Sequence, residues 1–563
     1  MSARYVLGVN IGFHDSSAAL VRDGALCGLV EQERVSRRKH AVGQPPAEAI
    51  AACLAMAGIG PQDVDTVAIG WDFRDIPLGR NRRFTTDGLR AMLFPDHEDL
   101  IMPAVRWVPH HVAHAASAAY SYDCDEAAVL VLDGAGETQS TSFGRYANGE
   151  IEILREWPVE QSLGFYYNAA AEWAGLGYWG TGKLMGLAAY GRPGPGAPVR
   201  PVPGGYELVR GMPTAEVPTR RAATLGPLMA YYPAVAESLT PGFGKLFPYA
   251  PRTGEEPIAY ADFAATIQQG LEETVLSLAA ELRRRVDTPV LALAGGVAMN
   301  CTMVGVLVRS GLFDRVYVPP VPTDAGVSLG AALVSARECG EFAPTRIDHA
   351  YWGQPITTEA GEAAAARAGM VHRRLGDDAL ARAVAGELAD GRIVGWARGR
   401  GEIGQRALGA RSLLADPRGR RSLERLNVLK GREMWRPVAP SVLAEHVSEL
   451  IDGPVGDPSR FMLAAASLRP EARLRVPAVT HVDGSARPQT VHRDTNPGYW
   501  ALIEQFRQLT GVPAVVNTSF NLAGEPIVNS AADAVDTFVR AKEIDLLVLG
   551  DAVVARSEAD LPA

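Results

Sequence analysis

The chain has 563 residues, a formal net charge of −9 and 47% hydrophobic residues. This length exceeds what one hydrophobic core usually organises, so two or more domains are expected. No apolar run reaches the roughly 18 residues of a membrane-spanning helix, and the acidic balance disfavours a broad nucleic-acid surface. Because the N-terminus shows no secretory signal and the five cysteines lack paired spacing, we expect a cytoplasmic protein with neither a membrane nor a nucleic acid as partner.

Residues 5–34 and 127–156 repeat one plan, in which an apolar strand, a turn of small residues and two further strands follow one another. Asp23-Gly24 and Asn148-Gly149 mark the hairpin turns of the two copies. The repeat predicts a duplicated α/β lobe. Helix-like patterns occur at 45–58, 110–122 and 262–286, and the segment 290–300 predicts a buried strand that leads through Gly-Gly into a helix N-terminus, where an anion can bind.

Two later stretches differ in composition. Residues 192–256 are rich in proline and glycine, which predicts an insertion or lid over a site. Residues 346–365 are interpreted as a linker. From 366 to 563 the alternation of strand-like and helix-like patterns predicts a second α/β domain.

Residues 394–441 alternate glycine with arginine and close on Lys430, Arg432 and Arg436. Glycine lets backbone N–H groups approach an anion, and arginine binds phosphate or carboxylate through paired hydrogen bonds. A local basic segment in an acidic chain therefore predicts a pocket for a small polyanion such as ATP or a phosphorylated metabolite. The competing interpretation is a solvated, arginine-rich surface.

His110 and His114 stand four residues apart at a predicted helix start, so they lie on one helix face. Asp133 and Asp324 follow apolar, strand-like segments, where carboxylates often face a cleft. Two histidines and two aspartates suit Fe(II), Zn(II) or Mn(II), among which the spacing does not choose. Core or capping histidines are the alternative, and we expect His111 to point away from the pair.

Short segments along nearly the whole chain share a pattern with one known family. They are FHDSSAAL (13–20), HHVAHAAS (110–117), DGAGE (133–137), SLGFYY (162–167), GKLMGLAAYG (182–191), AGGVAMN (294–300), TDAGVSLGAA (323–332), GRGEIGQRALGARSLL (399–414), MWRPVAPS (434–441) and NTSFN (517–521). Taken together, they resemble the O-carbamoyltransferases of antibiotic biosynthesis, the NodU/CmcH family.

The resemblance implies an α/β fold with two domains. Residues 1–345 would form a TsaD-like domain of the actin/Hsp70 class that transfers a carbamoyl group, with the lid near 192–256. After the linker at 346–365, residues 366–563 would form a YrdC-like domain. That domain would make carbamoyladenylate from carbamoyl phosphate and ATP, the latter with Mg(II).

For the first domain, the resemblance assigns a metal, with Fe(II) favoured, to the two histidines and two aspartates above. The ion would hold and polarise the adenylate phosphate. His14 matches a general base for the acceptor hydroxyl. Lys39 matches a position in the same site, although the residues alone favour a surface lysine. The matching carbamoyladenylate positions are Gly136, Gly164, Lys183, Gly295, Gly296 and Asn300.

For the second domain, fixed cations would neutralise the charge that gathers when a carbamate attacks a phosphate. The matching positions for ATP and carbamoyl phosphate are Arg406, Lys430, Arg436, Arg487, Asn517 and Ser519. For Arg487, Asn517 and Ser519, ordinary loop-stabilising residues are the alternative.

The acceptor is expected to be a small molecule with a hydroxyl group. A polycationic acceptor would need an acidic rim, whereas 192–256 carries prolines, aromatics and arginines, so a polyketide alcohol or its sugar is favoured over an aminoglycoside. Two other functions stay open: a fused threonylcarbamoyl-adenosine tRNA synthase, which would need a basic face, and a non-enzymatic nucleotide-binding regulator. A monomer or small homo-oligomer is expected.

Overall fold

The structure, a computed structural model, describes residues 3–72, 84–208, 243, 256–340 and 346–562. The chain forms two compact units. The first comprises Met1–Gln32 and His40–Ile347, and the second comprises Glu33–Lys39 and Asp348–Ala563. Most of the lid predicted at 192–256 lies outside the described residues.

The strands of the first unit form two five-stranded sheets and a separate hairpin. They are β1 (Tyr5–Asn10), β2 (Ser17–Arg22), β3 (Ala25–Glu31), β4 (Thr66–Ile69), β5 (Ala104–Trp107), β6 (Glu126–Leu132), β7 (Gln139–Ala147), β8 (Glu150–Pro158), β9 (Val199–Val202), β10 (Gly205–Leu208), β11 (Val290–Ala294) and β12 (Arg315–Tyr317).

The two sheets have one topology, with the orders β3-β2-β1-β4-β5 and β8-β7-β6-β11-β12. In the first sheet β1 pairs antiparallel with β2 and parallel with β4. In the second sheet β6 pairs in the same way, antiparallel with β7 and parallel with β11. The duplicated α/β lobe predicted from the repeated hairpin is therefore confirmed, and with it the actin/Hsp70-like fold class.

The helices of this region include the three that the sequence predicted. They are α1 (Gln32–Ser36), α2 (Ala47–Ala57), α3 (Thr86–Leu93), α4 (His110–Ala119), α5 (Leu163–Trp173), α6 (Thr181–Ala188), α7 (Ala261–Arg285), α8 (Cys301–Arg309) and α9 (Val327–Glu338). Among the described helices, none combines the length and apolar character needed to cross a membrane.

The second unit is built on a mixed eight-stranded sheet of order β14-β25-β24-β15-β17-β23-β18-β22. Its strands are β13 (Pro355–Ile356), β14 (Val371–Arg374), β15 (Val394–Ala397), β16 (Gly399–Arg400), β17 (Arg411–Ala415), β18 (Ala439–Leu443), β19 (Ile451–Asp452), β20 (Ala466–Leu468), β21 (Ser485–Ala486), β22 (Gln489–Val491), β23 (Ala514–Ser519), β24 (Leu546–Leu549) and β25 (Ala552–Ala555). Its helices are α10 (Thr358–Arg367), α11 (Asp377–Ala389), α12 (Arg420–Leu429), α13 (Val447–Leu450), α14 (Pro470–Arg475), α15 (Pro497–Thr510) and α16 (Ala531–Arg540).

Two boundaries differ from the sequence interpretation. The segment interpreted as a linker, 346–365, holds β13 and most of α10, because an alanine-rich stretch follows Thr357, whose side chain caps the helix by accepting from Ala360 N. The short segment Glu33–Lys39 belongs to the second unit. There Arg37 donates to the carbonyls of Ile527 and Pro526 at 2.6 and 2.9 Å.

Helices α4 and α9 approach so closely that only glycine fits at one contact. A Cβ on Gly330 would lie 1.8 Å from the carbonyl oxygen of Ala113. Helix α9 also packs on β1, where a Cβ on Gly8 would lie 1.9 Å from the carbonyl oxygen of Ser328. This packing sets the position of α4, which carries His110 and His114, against the residues that open α9.

We predict that Gly330→Ala destabilises the first unit by about 3 kcal/mol, since neither helix backbone can yield without losing its core contacts. Thermal unfolding followed by tryptophan fluorescence measures the change. The matched control is Gly386→Ala inside α11, where a Cβ would meet no described atom within 4 Å. That variant is expected to gain up to about 1 kcal/mol from helix propensity, and equal midpoints for the two variants would contradict the packing argument.

Candidate active site

Four predicted ligands of the first unit meet in one buried cluster. One donor atom each from His110, His114, Asp133 and Asp324 lies within 4.8 Å of all the others. The two Nε2 atoms are 3.1 Å apart. Nε2 of His110 lies 3.6 Å from Asp133 Oδ2 and 3.7 Å from Asp324 Oδ1. These separations match the edges of a coordination shell with bonds of about 2.1 Å, so the donor set fits a divalent ion.

Local contacts hold the histidines in the orientation that such an ion needs. Nδ1 of His110 lies 3.0 Å from the carbonyl oxygen of Gly70, which fixes the proton on Nδ1 and leaves Nε2 as the donor atom. Trp71 packs on the same ring, with centroids 3.9 Å apart. Glu137 Oε1 accepts from His110 N at 2.9 Å at the start of α4, a favourable place for a carboxylate.

The two aspartates enter from loops of the duplicated lobe. Asp133 directly follows β6, and its Oδ1 accepts from Gly296 N at 2.9 Å. Asp324 does not end a strand, because β12 stops at Tyr317; it opens a 3-10 turn that runs into α9. Burial would raise the pKa of Asp324, but hydrogen bonds from His110 and His114 hold that pKa well below its ordinary value.

His111 takes no part in the cluster, as the sequence predicted. Its ring is buried, its Nδ1 hydrogen-bonds Ser142 Oγ, and burial lowers its pKa to about 3. It also explains one glycine of the DGAGE segment, because a Cβ on Gly136 would lie 2.8 Å from the His111 ring. Gly136 therefore has a packing role, and contact with a ligand there stays a prediction.

The remaining first-domain positions divide between backbone and side-chain roles. Gly295 has φ +93°, a conformation that favours glycine, and it leads into Gly296 beside Asp133. Gly164 lets α5 approach the Asp133–Gly134 backbone, since a Cβ would lie 2.8 Å from Gly134 N. Lys183 lies half-buried in the first turn of α6.

Asn300 has a structural role beside the one predicted for it. Its Oδ1 caps α8 by accepting from Met303 N at 3.1 Å. The same amide exchanges two hydrogen bonds with Gln268, at 2.9 and 3.0 Å. Its side-chain polar atoms are thus bonded within the protein, and contact of Asn300 with an adenylate stays a prediction.

His14 lies in a second group of the first unit. Its side chain is 29% exposed, and its Nδ1 lies 3.1 Å from Asp15 Oδ2. His40 contacts the other oxygen of Asp15 at 3.1 Å. Trp179 stacks on His40 at 4.0 Å and meets His14 edge-on at 5.3 Å. The charges of Asp324 and Asp133 act on the pKa of His14, which relates this group to the four-ligand cluster.

Lys39 belongs to the second compact unit, whereas the resemblance groups it with His14. Its role in the site of His14 stays a prediction. Its charge acts on Lys430 of the second unit. Burial and the charges of Arg432 and Lys39 hold the pKa of Lys430 well below its ordinary value. Lys39 therefore adds a cation to the basic site of the second unit.

Lys430 is the centre of that basic site. It is buried, and its Nζ donates to Ser519 O and Oγ at 2.6 and 3.0 Å and to Asn521 Oδ1 at 2.7 Å. These acceptors are neutral, so the positive charge has no anionic partner among these bonds. The predicted pair Lys430 and Ser519 is thus in direct contact.

Two arginines of this site, Arg432 and Arg436, have lowered pKa values, and the charge of Arg487 contributes to both shifts. Burial and the charge of Arg436 lower the pKa of Arg432 to about 9, and Arg487 contributes to the same shift. Burial and Arg487 likewise lower the pKa of Arg436, against a partial offset from Glu433. Arg487 Nε is buried without a hydrogen-bond partner among the described residues. Mutually repelling buried cations favour a bound polyanion.

Asn517 lies in β23, two residues before Ser519. Its Nδ2 donates to Ser441 Oγ at 2.9 Å and to Gln489 Oε1 at 3.0 Å. Its Oδ1 is buried and unpaired among the described residues, which leaves one acceptor available to a ligand.

The arginine-rich segment 394–441 is only partly a ligand site. Arg411 is fully buried and donates to backbone carbonyls, including those of Ala410 at 2.8 Å and Gln354 at 2.9 Å. Arg425 pairs with Asp545 at 2.8 Å, and Arg418 pairs with Asp416 at 2.7 Å. Arg406 is half-buried, so its role on phosphate stays a prediction.

Sequence reasoning missed several residues. Glu137, Asp15, His40 and Trp179 lie around the predicted histidines. Glu137 and Asp15 stand inside the family-like segments 133–137 and 13–20, so their nearness to predicted site residues was a usable signal. The pairing of Asp15 with His40 depends on a turn between distant positions and leaves no local pattern.

Two family models match this chain. The model described as "Carbamoyltransferase N-terminus" matches residues 5–77 and 81–333. The model described as "Carbamoyltransferase C-terminus" matches residues 385–556. Together they cover most of the chain and include both sites described above.

Relatives align over most of the chain. Nodulation protein NolNO of Sinorhizobium fredii is 35% identical over 98% of this chain and 80% of the relative. The 3'-hydroxymethylcephem-O-carbamoyltransferase of Streptomyces clavuligerus is 28% identical over 96% of both chains. Among solved structures, full-length HypF aligns at 13% identity with a TM-score of 0.35 over 61% of this chain and 56% of that chain, a similarity too low to support a conclusion.

We predict that Asp324→Asn abolishes tight divalent-metal binding, because the variant loses an anionic ligand and leaves Asp133 as the only carboxylate of the set. Since loss of a mere supporting contact costs about 10–100-fold in metal affinity, we expect a weakening beyond 100-fold. Elemental analysis after dialysis against Fe(II), Zn(II) or Mn(II) measures the bound metal. The exposed Asp314→Asn variant is the control, and equal metal content in both variants would exclude this site.

Proposed function

This chain belongs to the carbamoyltransferase family, and we propose that it is an ATP-dependent O-carbamoyltransferase that acts through carbamoyladenylate on a natural-product alcohol. The observation that carries this proposal is the pairing, in one chain, of a four-ligand metal cluster with a separate cluster of buried cations. The first suits a phosphate-bridging ion, and the second suits ATP with carbamoyl phosphate.

In the second unit, water hydrolyses carbamoyl phosphate to carbamate and inorganic phosphate, and a carbamate oxygen then attacks the α-phosphorus of ATP. An oxygen–phosphorus bond forms, the bond from the α-phosphorus to the leaving oxygen breaks, and pyrophosphate departs. Lys430, Arg432 and Arg436 offer buried cationic groups to these anions, whose charge favours the protonated forms that burial disfavours. Such charge lowers the barrier more than water does because it needs no reorganisation.

In the first unit, the acceptor hydroxyl oxygen attacks the carbamoyl carbon, and AMP leaves with the bridging oxygen. His14 takes the hydroxyl proton, since its ring is partly exposed and the charges of Asp324 and Asp133 act on it. A divalent ion held by His110, His114, Asp133 and Asp324 would act as a Lewis acid on the phosphate.

The acceptor is proposed to be an uncharged or weakly charged alcohol on a ring, such as a polyketide or its sugar. Trp179 supports this choice, because its indole is 48% exposed and stands beside His14. An exposed indole offers a flat apolar surface for the face of a ring. The cephem carbamoyltransferases among the relatives carry ring-bearing acceptors in their names.

A mass-spectrometric assay tests the proposal directly. The protein is incubated with ATP, Mg(II), Fe(II) and carbamoyl phosphate, without acceptor, and a parallel tube receives threonine and bicarbonate in place of carbamoyl phosphate. We expect carbamoyladenylate or AMP only in the first tube. Product only in the second tube would reassign the chain to tRNA modification, and ATP binding without product in either would support a non-enzymatic nucleotide-binding protein.

Two variants should separate the steps. His14→Ala is expected to keep adenylate formation and to lower carbamoyl transfer by about 100-fold or more, the usual contribution of a general base. Arg436→Met should lower adenylate formation by a similar factor. The control is Arg420→Met at the exposed start of α12, and loss of adenylate formation in His14→Ala would refute the division of steps between the units.

Trp179→Ala is predicted to raise the acceptor KM about tenfold, equivalent to about 1.4 kcal/mol of lost stacking, with little effect on adenylate formation. Steady-state kinetics with a panel of ring alcohols and aminoglycosides makes the measurement. Trp179→Phe retains an aromatic face and should recover most of the affinity. Preference for aminoglycosides in the wild-type protein would overturn the choice of acceptor class.

A further inference from the structure

Asp15 stands between two histidines of the first unit. One of its carboxylate oxygens contacts Nδ1 of His14 at 3.1 Å, and the other contacts Nδ1 of His40 at 3.1 Å. Asp15 is buried, with 9% of its surface exposed. An ionised carboxylate accepts and does not donate, so both imidazoles direct an N–H toward it.

The backbone fixes this arrangement. Asp15 N donates to the His40 carbonyl at 2.7 Å, and Gly43 N donates to the Phe13 carbonyl at 3.1 Å. Ser16 Oγ donates to the Gln44 carbonyl at 2.7 Å. The two loops, 13–16 and 40–44, are therefore held side by side by three hydrogen bonds, and the Asp15 carboxylate is built into the structure.

We propose that Asp15 is a positioning residue for His14 and that His40 holds Asp15 in place. This inference rests on the proposed function, in which His14 is the general base. When neutral His14 donates its Nδ1–H in a hydrogen bond to Asp15, its Nε2 is unprotonated and can face the acceptor hydroxyl. Without Asp15, the ring can rotate or adopt the other tautomer, which has no base at that position.

The acceptor hydroxyl proton moves to Nε2 of His14 as the new carbon–oxygen bond forms, and the resulting imidazolium is paired with Asp15. Asp15 itself stays ionised, because hydrogen bonds from His14 and His40 outweigh burial and lower its pKa to about 2. The proton then passes from His14 to the departing AMP or to solvent.

Several charged groups act on His14. Loss of solvent contact lowers its pKa, but the hydrogen bond with Asp15 and the charges of Asp324 and Asp133 raise it to about 9. A cation bound by Asp324 and Asp133 would cancel the effect of their charges on the pKa of His14. The hydrogen bond with Asp15 would still raise that pKa. Since a base acts when unprotonated, the transfer rate should rise with pH through the pKa of His14.

The test compares Asp15→Asn with the wild-type full-length protein loaded with Fe(II). Asparagine accepts the positive φ of +51° at Asp15, so the fold should persist. We expect kcat for transfer to fall by about 100-fold or more, by analogy with the aspartate of a Ser-His-Asp triad. The rise of kcat with pH should move to lower pH, while adenylate formation stays unchanged.

Two matched variants sharpen the result. Asp23→Asn also replaces an aspartate at positive φ, +50°, in an exposed turn, and should leave the kinetics unchanged. His40→Asn keeps a side-chain donor at a left-handed position and should cost less than His40→Ala. An unchanged pH profile in Asp15→Asn, whatever its kcat, would overturn the positioning role.

A second measurement does not depend on the acceptor. Nitrogen NMR of the histidine-labelled protein, with His14 assigned through His14→Ala, reports which ring nitrogen carries the proton. At a pH above the His14 pKa of about 9, where the ring is neutral, we expect Nδ1–H in the wild type and a mixture in Asp15→Asn. The same tautomer ratio in both proteins would refute the inference, whereas failure of the wild type to transfer to any acceptor would count against the proposed function alone.

Discussion

Two buried carboxylates, Asp133 and Asp324, are the constraint on which the first unit depends. A carboxylate that loses its water needs a compensating charge or several hydrogen bonds. The lobe supplies both, through two histidines on α4 and the amide N–H of Gly296. Because Asp133 follows β6 and Asp324 precedes α9, these ligands can meet α4 only if α4 packs against α9 at Gly330. The close helix contact at Gly330 is thus a condition for assembling the cluster of His110, His114, Asp133 and Asp324.

The second unit presents the opposite problem. Lys430 and its arginine neighbours are buried cations that depress one another's pKa values. A phosphate-rich ligand can bind such a cluster directly, whereas the acidic cluster of the first unit needs a divalent ion to attract the same ligand. Within the proposed function, the first unit therefore binds the phosphate of its ligand through a divalent ion, and the second unit binds phosphates through its own cationic side chains.

Much of the architecture was accessible from the sequence because it depends on local patterns. The repeated hairpin gave the duplicated lobe, and the i, i+4 spacing of His110 and His114 placed both on one side of α4. The unit to which Lys39 belongs was not accessible from local patterns, because the neighbouring Arg37 bonds residues nearly 500 positions away. The helix cap at Asn300 was not foreseen, since a ligand contact and a helix cap use the same residue type.

Backbone strain concentrates where the proposed base stands. Among the described residues other than glycine, Asp15, His40 and Ala41 all have positive φ, at +51°, +61° and +44°. Such conformations cost about 1–2 kcal/mol each and persist only where surrounding bonds enforce them. Here the hydrogen bond from Asp15 N to the His40 carbonyl joins two of the strained residues. If the loops 13–16 and 40–44 relaxed, Asp15 would lose its contacts with both histidines at once. The strained backbone therefore keeps His14 oriented before the acceptor binds.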